Sequence, residues 1–150
     1  MEALKVAIAD DNENMLKVLG QVIGQEQDLS VVGTATNGED TFHIIKEKEP
    51  DVVLLDIIMP QIDGLTVMEK VHKDKEIRKT PAFIIISAIG RDSVTEDAFN
   101  MGASYYIMKP FDNDMLINRI RYIRNVHAEN TKAGAAPALE HTVVSDRNLE

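Results

Sequence analysis

Asp51-Val-Val-Leu-Leu-Asp56-Ile-Ile-Met-Pro60, continued by Gln61-Ile-Asp63-Gly64, is the stretch whose reading decides the fold. Its apolar run, Val52 through Leu55, is too short for a free-standing helix and is rich in branched side chains. A run of this length without alternation suits a strand buried on both faces, as in the middle of a parallel sheet. It stops at Asp56, and Met59-Pro60 and Asp63-Gly64 supply turn chemistry directly afterwards. One carboxylate is therefore expected at the carboxyl end of a central strand, where open α/β sheets place their ligand sites.

Working outward, residues 4–9 read as a first strand ending in Asp10-Asp11. Asn12 or Asn14 can cap a helix with Met15, Val18, Leu19, Val22 and Ile23 at helical spacing. Residues 29–35 form a second strand, and Asn37-Gly38 opens a helix carrying Phe42, Ile44 and Ile45 that Pro50 terminates. After Gly64 a third helix carries Leu65, Val67, Met68 and Val71, and the charged run 70–79 reads as its solvated face and continuation. Residues 82–87 are a fourth strand, 93–101 a weak helix stopped by Gly102, and 104–108 a fifth strand ending in Lys109-Pro110-Phe111. Asp112 can cap a last amphipathic helix with Met115, Leu116, Ile117, Ile120 and Ile123. From about Ala128 the apolar period disappears, and residues 133–138 have linker composition. Five strands alternating with five helices predict an α/β fold, a doubly wound five-stranded parallel sheet of flavodoxin-like type.

Composition narrows the function classes. The chain has 150 residues, 44% hydrophobic and 27% charged, with formal net charge −9 and pI near 4.9. That balance argues against the chain itself gripping nucleic acid or an anionic membrane, because phosphate contacts need clustered Lys and Arg. Cysteine is absent, which excludes thiol chemistry and disulfides. No apolar run approaches the roughly 18 residues of a membrane span, and Met1-Glu2-Ala3-Leu4-Lys5 does not open a signal peptide, so a cytoplasmic protein is expected.

The polar outliers all sit at predicted strand ends: Asp10 and Asp11 after the first, Asp56 after the third, Ser87 at the fourth and Lys109 after the fifth. Each alone reads as a cap, a turn or an exposed cation. Together they should share one pocket at the carboxyl edge of the sheet. The chemistry that needs this set is phosphoryl transfer to a carboxylate. Three aspartates offer hard oxygen ligands to Mg²⁺, one of them serves as nucleophile, and Lys109 neutralises the transferring group. A hydroxyl at Ser87 can hydrogen-bond a phosphate oxygen.

Asp10-Asp11, Leu55-Asp-Ile-Ile-Met-Pro60 with Asp63-Gly64, Ser87-Ala88, Gly102-Ala103 and Tyr106-Ile-Met-Lys109-Pro-Phe111 make the chain similar to the receiver domain of bacterial response regulators, over roughly residues 4–127. Among CheY-like receivers it most resembles those of sporulation regulators. The resemblance implies that Asp56 is the phosphoacceptor. Asp11 and Asp56 would bind Mg²⁺, or Mn²⁺ or Ca²⁺ in its place, with the Ile58 backbone carbonyl, and Asp10 would act mainly through water. Lys109 would pair with the phosphoryl group, Ser87 would be the switch hydroxyl, and Tyr106 the aromatic that moves inward with it. Lys109-Pro110 would be cis. The implied partners are a histidine kinase or phosphotransferase and, on phosphorylation, a second copy meeting the face of the fourth helix, fifth strand and fifth helix. Residues 1–127 would be the receiver and 128–150 a linker toward an output domain that alone would touch DNA.

Other readings are weaker. A phosphoaspartate hydrolase wants a second acid two residues after its nucleophile, where this chain has Ile58. A flavodoxin wants a Ser/Thr/Gly phosphate loop where Asp10-Asp11 stands. A stand-alone receiver, or a pseudo-receiver acting by protein contact without phosphate, remains the alternative. The chain is thus expected to be a signalling switch rather than an enzyme, promoting only its own phosphorylation and slow dephosphorylation. The slowness is expected because Ile58 and Ile89, two residues past Asp56 and Ser87, have no group to orient a hydrolytic water. His43, His72, His127 and His141 lack metal-ligand spacing, and Arg119, Arg121 and Arg124 read as surface groups of the last helix able to meet a partner's acids.

Overall fold

Four consecutive side chains with almost no exposure, Val52 to Leu55, make the centre of the sheet. Alternation sends Val52 and Leu54 into one apolar cluster and Val53 and Leu55 into the other, so the strand is covered on both faces. Burying the four stabilises by roughly 6–12 kcal/mol as an upper estimate. The computed structural model describes residues 3–59, 63–88, 92–133 and 142–144, with the backbone alone in 92–93, 124–133 and 142–144.

The elements are β1 (Leu4–Ala9), α1 (Glu13–Gly24), β2 (Leu29–Ala35), α2 (Gly38–Lys48), β3 (Val52–Leu55), α3 (Gly64–Lys73), β4 (Ala82–Ser87), α4 (Asp92–Asn100), β5 (Ala103–Met108), α5 (Asn113–Ala133) and β6 (Thr142–Val144). All strand pairs are parallel, in the order β2-β1-β3-β4-β5-β6. The winding reverses between β1 and β3, so the crevice of a doubly wound sheet opens above those two strands. One face is packed by α1 and α5 through Leu19, Ile23, Leu116, Ile120 and Ile123. The other is packed by α2, α3 and α4 through Ile45, Val67, Met68, Val71 and Ala98.

The five expected strands and five helices are present, and the caps explain their starts. Asn12, rather than Asn14, caps α1 by accepting from the Asn14 and Met15 amides at 2.9 and 3.2 Å. Asn37 caps α2, Asp63 caps α3 and Asp112 accepts from Met115 N at the start of α5. Glu49 takes φ +48° just before Pro50, and Gly102 takes φ +103° after α4, where a side chain would be strained.

Three features differ from the sequence reading. The charged run after Lys73 does not continue the helix. Asp74 leaves helical geometry, its carboxylate accepts from Glu76 N, and it pairs with Lys46 at 3.4 Å. Second, α5 runs on to Ala133, because Ala, Glu and Lys sustain a helix by propensity without an apolar stripe. Third, Thr142–Val144 adds a short sixth strand beside β5. Among the described residues no helix is long and apolar enough to cross a membrane.

Candidate functional site

The parallel ladder delivers the polar residues to one edge. β1 and β3 run in register to Ala9 and Leu55, and β4 and β5 to Ser87 and Met108. The next residue in each case makes a further rung. Asp56 N donates to Ala9 O (3.0 Å), Asp10 N to Ala35 O (3.0 Å) and Lys109 N to Ser87 O (2.9 Å). The backbones of Asp10, Asp56 and Lys109 are therefore held by the sheet, and their side chains rise from its carboxyl edge.

There the side chains converge. Lys109 Nζ lies 2.8 Å from Asp10 Oδ2 and 3.3 Å from Asp56 Oδ2. Asp10, Asp11 and Asp56 each offer a carboxylate oxygen within 4.8 Å of the other two. Asp10 and Asp56 are buried, and Asp11 is exposed. A divalent cation with octahedral oxygen ligands at about 2.1 Å needs neighbouring ligands about 3.0 Å and opposite ligands about 4.2 Å apart, so the three carboxylates are near enough to hold one after closing in on it. Asp10 Oδ1 also accepts from Asn12 N at 2.9 Å, and Asp56 Oδ1 from Ile58 N at 3.2 Å, which fixes both carboxylate rotamers.

Electrostatics follow from burial. Desolvation pushes the Asp56 carboxyl above its ordinary value; the Lys109 charge opposes this and the Asp10 charge adds to it. Burial pulls on the Lys109 ammonium in the other direction, but its hydrogen bond to Asp10 and the charges of Asp56 and Asp10 outweigh that and hold it above the usual lysine value. The site keeps a cation beside a desolvated carboxylate, the arrangement that stabilises added negative charge.

Ser87 and Tyr106 form a second layer. Both are fully buried, on adjacent strands. The Tyr106 hydroxyl hydrogen-bonds with Ser87 and Thr95, linking the strand end to α4; burial raises its pKa, the two hydrogen bonds lower it and the Asp56 charge raises it. Lys109-Pro110 is cis.

Every sequence-predicted site residue with a described side chain thus lies at this edge. Ile58 is there too, with its side chain 54% exposed at the rim. Ile89 lies outside the described residues. Arg121 does not await a partner's acid. Its guanidinium pairs with Asp28 (2.9 and 3.0 Å) and Glu26 (2.5 Å) of the same chain, because α5 packs beside the α1–β2 connection. Arg119 lies over the Tyr105 ring, 5.4 Å from its centroid. His72 Nε2 sits 2.7 Å from Met101 O.

Two features went unread in the sequence. Gly64 packs directly on the Asp56 backbone: a Cβ there would lie 3.0 Å from Ile57 Cα and 3.2 Å from the Asp56 carbonyl carbon, and closer still to the Asp56 carbonyl oxygen. Met15, Val18, Pro110, Phe111 and Asn113 form with Lys109 a groove of about 360 Å³, mostly apolar, next to the acidic cluster. Val18 is 49% exposed although it reads as core. The available signal was the width of the α1 stripe, since only Leu19 and Ile23 of it are fully buried while Met15 and Val22 pack at the margin of the core.

A family profile described as response regulator receiver domain matches residues 6–121. The chain belongs to the response regulator receiver family. This receiver is similar to solved structures over about four fifths of its length. The response regulator domain of Thermotoga maritima CheB is 27% identical with a TM-score of 0.74, over 83% of this chain and 98% of that one. CheY in the CheX-CheY-BeF3-Mg complex of Borrelia burgdorferi is 30% identical with a TM-score of 0.73, over 82% and 90%. A DNA-binding response regulator of the LuxR family from Staphylococcus aureus is 28% identical with a TM-score of 0.74, over 81% and 99%. A receiver is a phosphoacceptor signalling switch of two-component systems, so the class of function follows from membership.

Proposed function

We propose that this receiver accepts a phosphoryl group from a phosphohistidine onto Asp56, with Mg²⁺ bound by Asp11, Asp56 and the Ile58 carbonyl and by Asp10 through water. The observation that carries the reading is the meeting of Asp10, Asp11, Asp56 and Lys109 at one sheet edge. An Asp56 carboxylate oxygen attacks phosphorus, the P–N bond breaks, and its electron pair stays on the departing imidazole, which takes a proton from solvent. The metal, when bound, neutralises phosphoryl oxygen charge. Lys109 supplies the matching cation from the protein. Ser87, 0% exposed and linked to Tyr106, reads the new phosphoryl oxygen and transmits it to α4 and β5.

The apolar groove beside Lys109 suits the donor's carrier. A histidine kinase or phosphotransferase presenting a helix would cover Met15, Val18, Pro110 and Phe111 and so bring its phosphohistidine over Asp56. The Borrelia CheX-CheY complex, which contains BeF3 and Mg, supports the same chemistry in a relative. The resemblance of Ala9-Asp-Asp-Asn12, residues 51–60, Gly102-Ala-Ser-Tyr105 and Lys109-Pro-Phe-Asp112 to stage zero sporulation protein A supports control of sporulation transcription. In that reading residues 128–150 lead to a DNA-binding output domain, and phosphorylated copies pair through α4, β5 and α5. Ile58, exposed two residues past Asp56, carries no group of its own to orient water, which supports slow dephosphorylation.

Incubation with acetyl phosphate and Mg²⁺, read by intact mass, tests the proposal. One Mg²⁺-dependent phosphoryl addition that disappears in Asp56→Asn is the expected result. No addition from acetyl phosphate or from a phosphohistidine donor would leave a pseudo-receiver acting by protein contact alone.

A further inference from the structure

The strand that carries the Tyr106 switch is not left as an edge. Tyr105, Tyr106 and Ile107 of β5 pair in parallel with Thr142, Val143 and Val144. Without β6, β5 would end the sheet and expose a row of backbone donors and acceptors, a template for any extended chain. Tyr106 is the middle residue of the paired stretch, and its other neighbour is β4, which ends in Ser87. The tail is therefore one strand away from the switch hydroxyl and two from Asp56.

Such a strand is removable. Three residues contribute a few backbone hydrogen bonds, whose net worth is comparable with the conformational entropy lost in ordering them. The tether makes a weak intrinsic affinity, with Kd on the order of 0.1 mM, sufficient to seat the strand. Eight residues, 134–141, separate it from α5, and a short tether holds a segment at an effective concentration on the order of millimolar. A strand seated this way yields to a modest bias and returns when the bias is removed.

We propose that the β5 edge is a strand-docking surface whose resident occupant is the chain's own Thr142–Val144, acting as a displaceable strap on the switch strand. The strap keeps other extended segments off β5, and its departure frees the edge for strand addition. Strap docking and the arrangement of Tyr106 act on the same six-residue strand, so by linkage a change in either alters the other by an equal factor.

The test uses the 150-residue chain carrying Thr142→Pro or Val143→Pro. Successive residues of an edge strand turn their amides alternately toward and away from the neighbour, so one of the two removes a ladder donor whichever way the register faces. The probe is a fluorescent peptide of residues 140–146, titrated by polarisation, with hydrogen exchange of the segment 105–107 followed in parallel. The expected result is binding to at least one Pro variant about tenfold tighter or more than to the wild type, with faster exchange in 105–107 of that variant. Exchange in β1 and β2 stays at the wild-type level, which shows that the fold is intact. Peptide binding to neither protein would show that the edge is no docking surface. Equal binding to wild type and both variants, or unchanged exchange at 105–107, would show that no strap occupies it.

Discussion

Gly64→Ala is the substitution whose consequence the structure specifies most closely. The new methyl carbon would stand 3.0 Å from Ile57 Cα, 0.4 Å inside the 3.4 Å at which ordinary contact begins, and nearer still to the Asp56 carbonyl oxygen. Both obstacles are backbone, so no side chain can swing away; either α3 or the Asp56-Ile57 segment must move. Gly64 N also donates to Ile57 O at 2.9 Å, which ties the two segments together. Overpacking of this kind costs about 1–3 kcal/mol. The larger effect falls on chemistry, since a displacement on the order of 1 Å at a reacting group costs roughly 10²-fold in rate. The phosphorylation rate with acetyl phosphate and Mg²⁺, by intact mass, is expected to fall at least about tenfold, with a lower urea midpoint. Gly20→Ala in α1 is the control: nothing lies within 4 Å of its new carbon, so helix propensity should leave the protein unchanged or up to about 1 kcal/mol more stable, at the wild-type rate. A Gly64→Ala protein with the rate and urea midpoint of the Gly20→Ala protein would refute the steric argument.

Other expectations follow from the site and its surroundings. Saturating Mg²⁺ should raise the melting temperature of the wild type, by about 2.7 kcal/mol of stability at a hundredfold excess over Kd, and much less in Asp11→Asn; equal shifts in both would remove Asp11 from the metal site. The Asp51 carboxyl meets a burial penalty, but the ammonium of Lys79 and the Lys5 amide overcome it and hold its pKa below 3.8. A depressed folded pKa means stability present above the unfolded value and lost as pH falls through the folded one. Urea titrations should therefore show Asp51→Asn less stable than wild type at neutral pH, with the gap closing below about pH 3.8. Ile58→Asn, which puts an amide at the exposed rim, should shorten the lifetime of the aspartyl phosphate; an unchanged decay would locate the control of hydrolysis elsewhere.

Much of this was legible because sheet burial and strand ends leave strong marks. Val52 to Leu55 is too short for a free-standing helix and rich in branched side chains, which pointed to a strand covered on both faces, and Asp56 followed by turn residues marked its end. The helix starts at Asn37 and Asp112 were equally readable, since a short polar side chain before an apolar-periodic run has few other uses, whereas Asp63 read only as turn chemistry and proves to cap α3. What stayed hidden depends on distance in space. Gly64 reads as a turn glycine, yet its φ is not in the left-handed region; it is needed because α3 starts against the Asp56 backbone. The excess apolar width of α1 could not be assigned to a groove until Pro110 and Phe111 were seen beside it. The α5 extension and β6 escaped because loss of amphipathic period says that a segment is uncovered, not that it lacks structure.

The charge at the sheet edge gives a physical reason for these residues to act as a set in the proposed switch. Three carboxylates and one ammonium, all ionised, carry a net charge of −2, and two of the acids are buried. A dication would cancel that excess, and three carboxylates do not fill an octahedral shell, which would leave positions for water or phosphoryl oxygens. In the proposed switch, phosphorylation of Asp56 would then add negative charge within reach of Lys109, whose ammonium is already shared between Asp10 and Asp56 at 2.8 and 3.3 Å. As the phosphoryl group draws on Lys109, its contact with Asp10 must weaken, while Ser87, the residue whose carbonyl holds the Lys109 amide, gains an acceptor for its hydroxyl. The Ser87–Tyr106 hydrogen bond is thereby set in competition with one to phosphate. Replacing Tyr106 by Phe removes that competitor without opening the core, so Ser87 should be freer to hold phosphate, and signalling to β5 should be lost while acceptance by Asp56 persists. Loss of both together would show that Tyr106 supports the site itself rather than its readout.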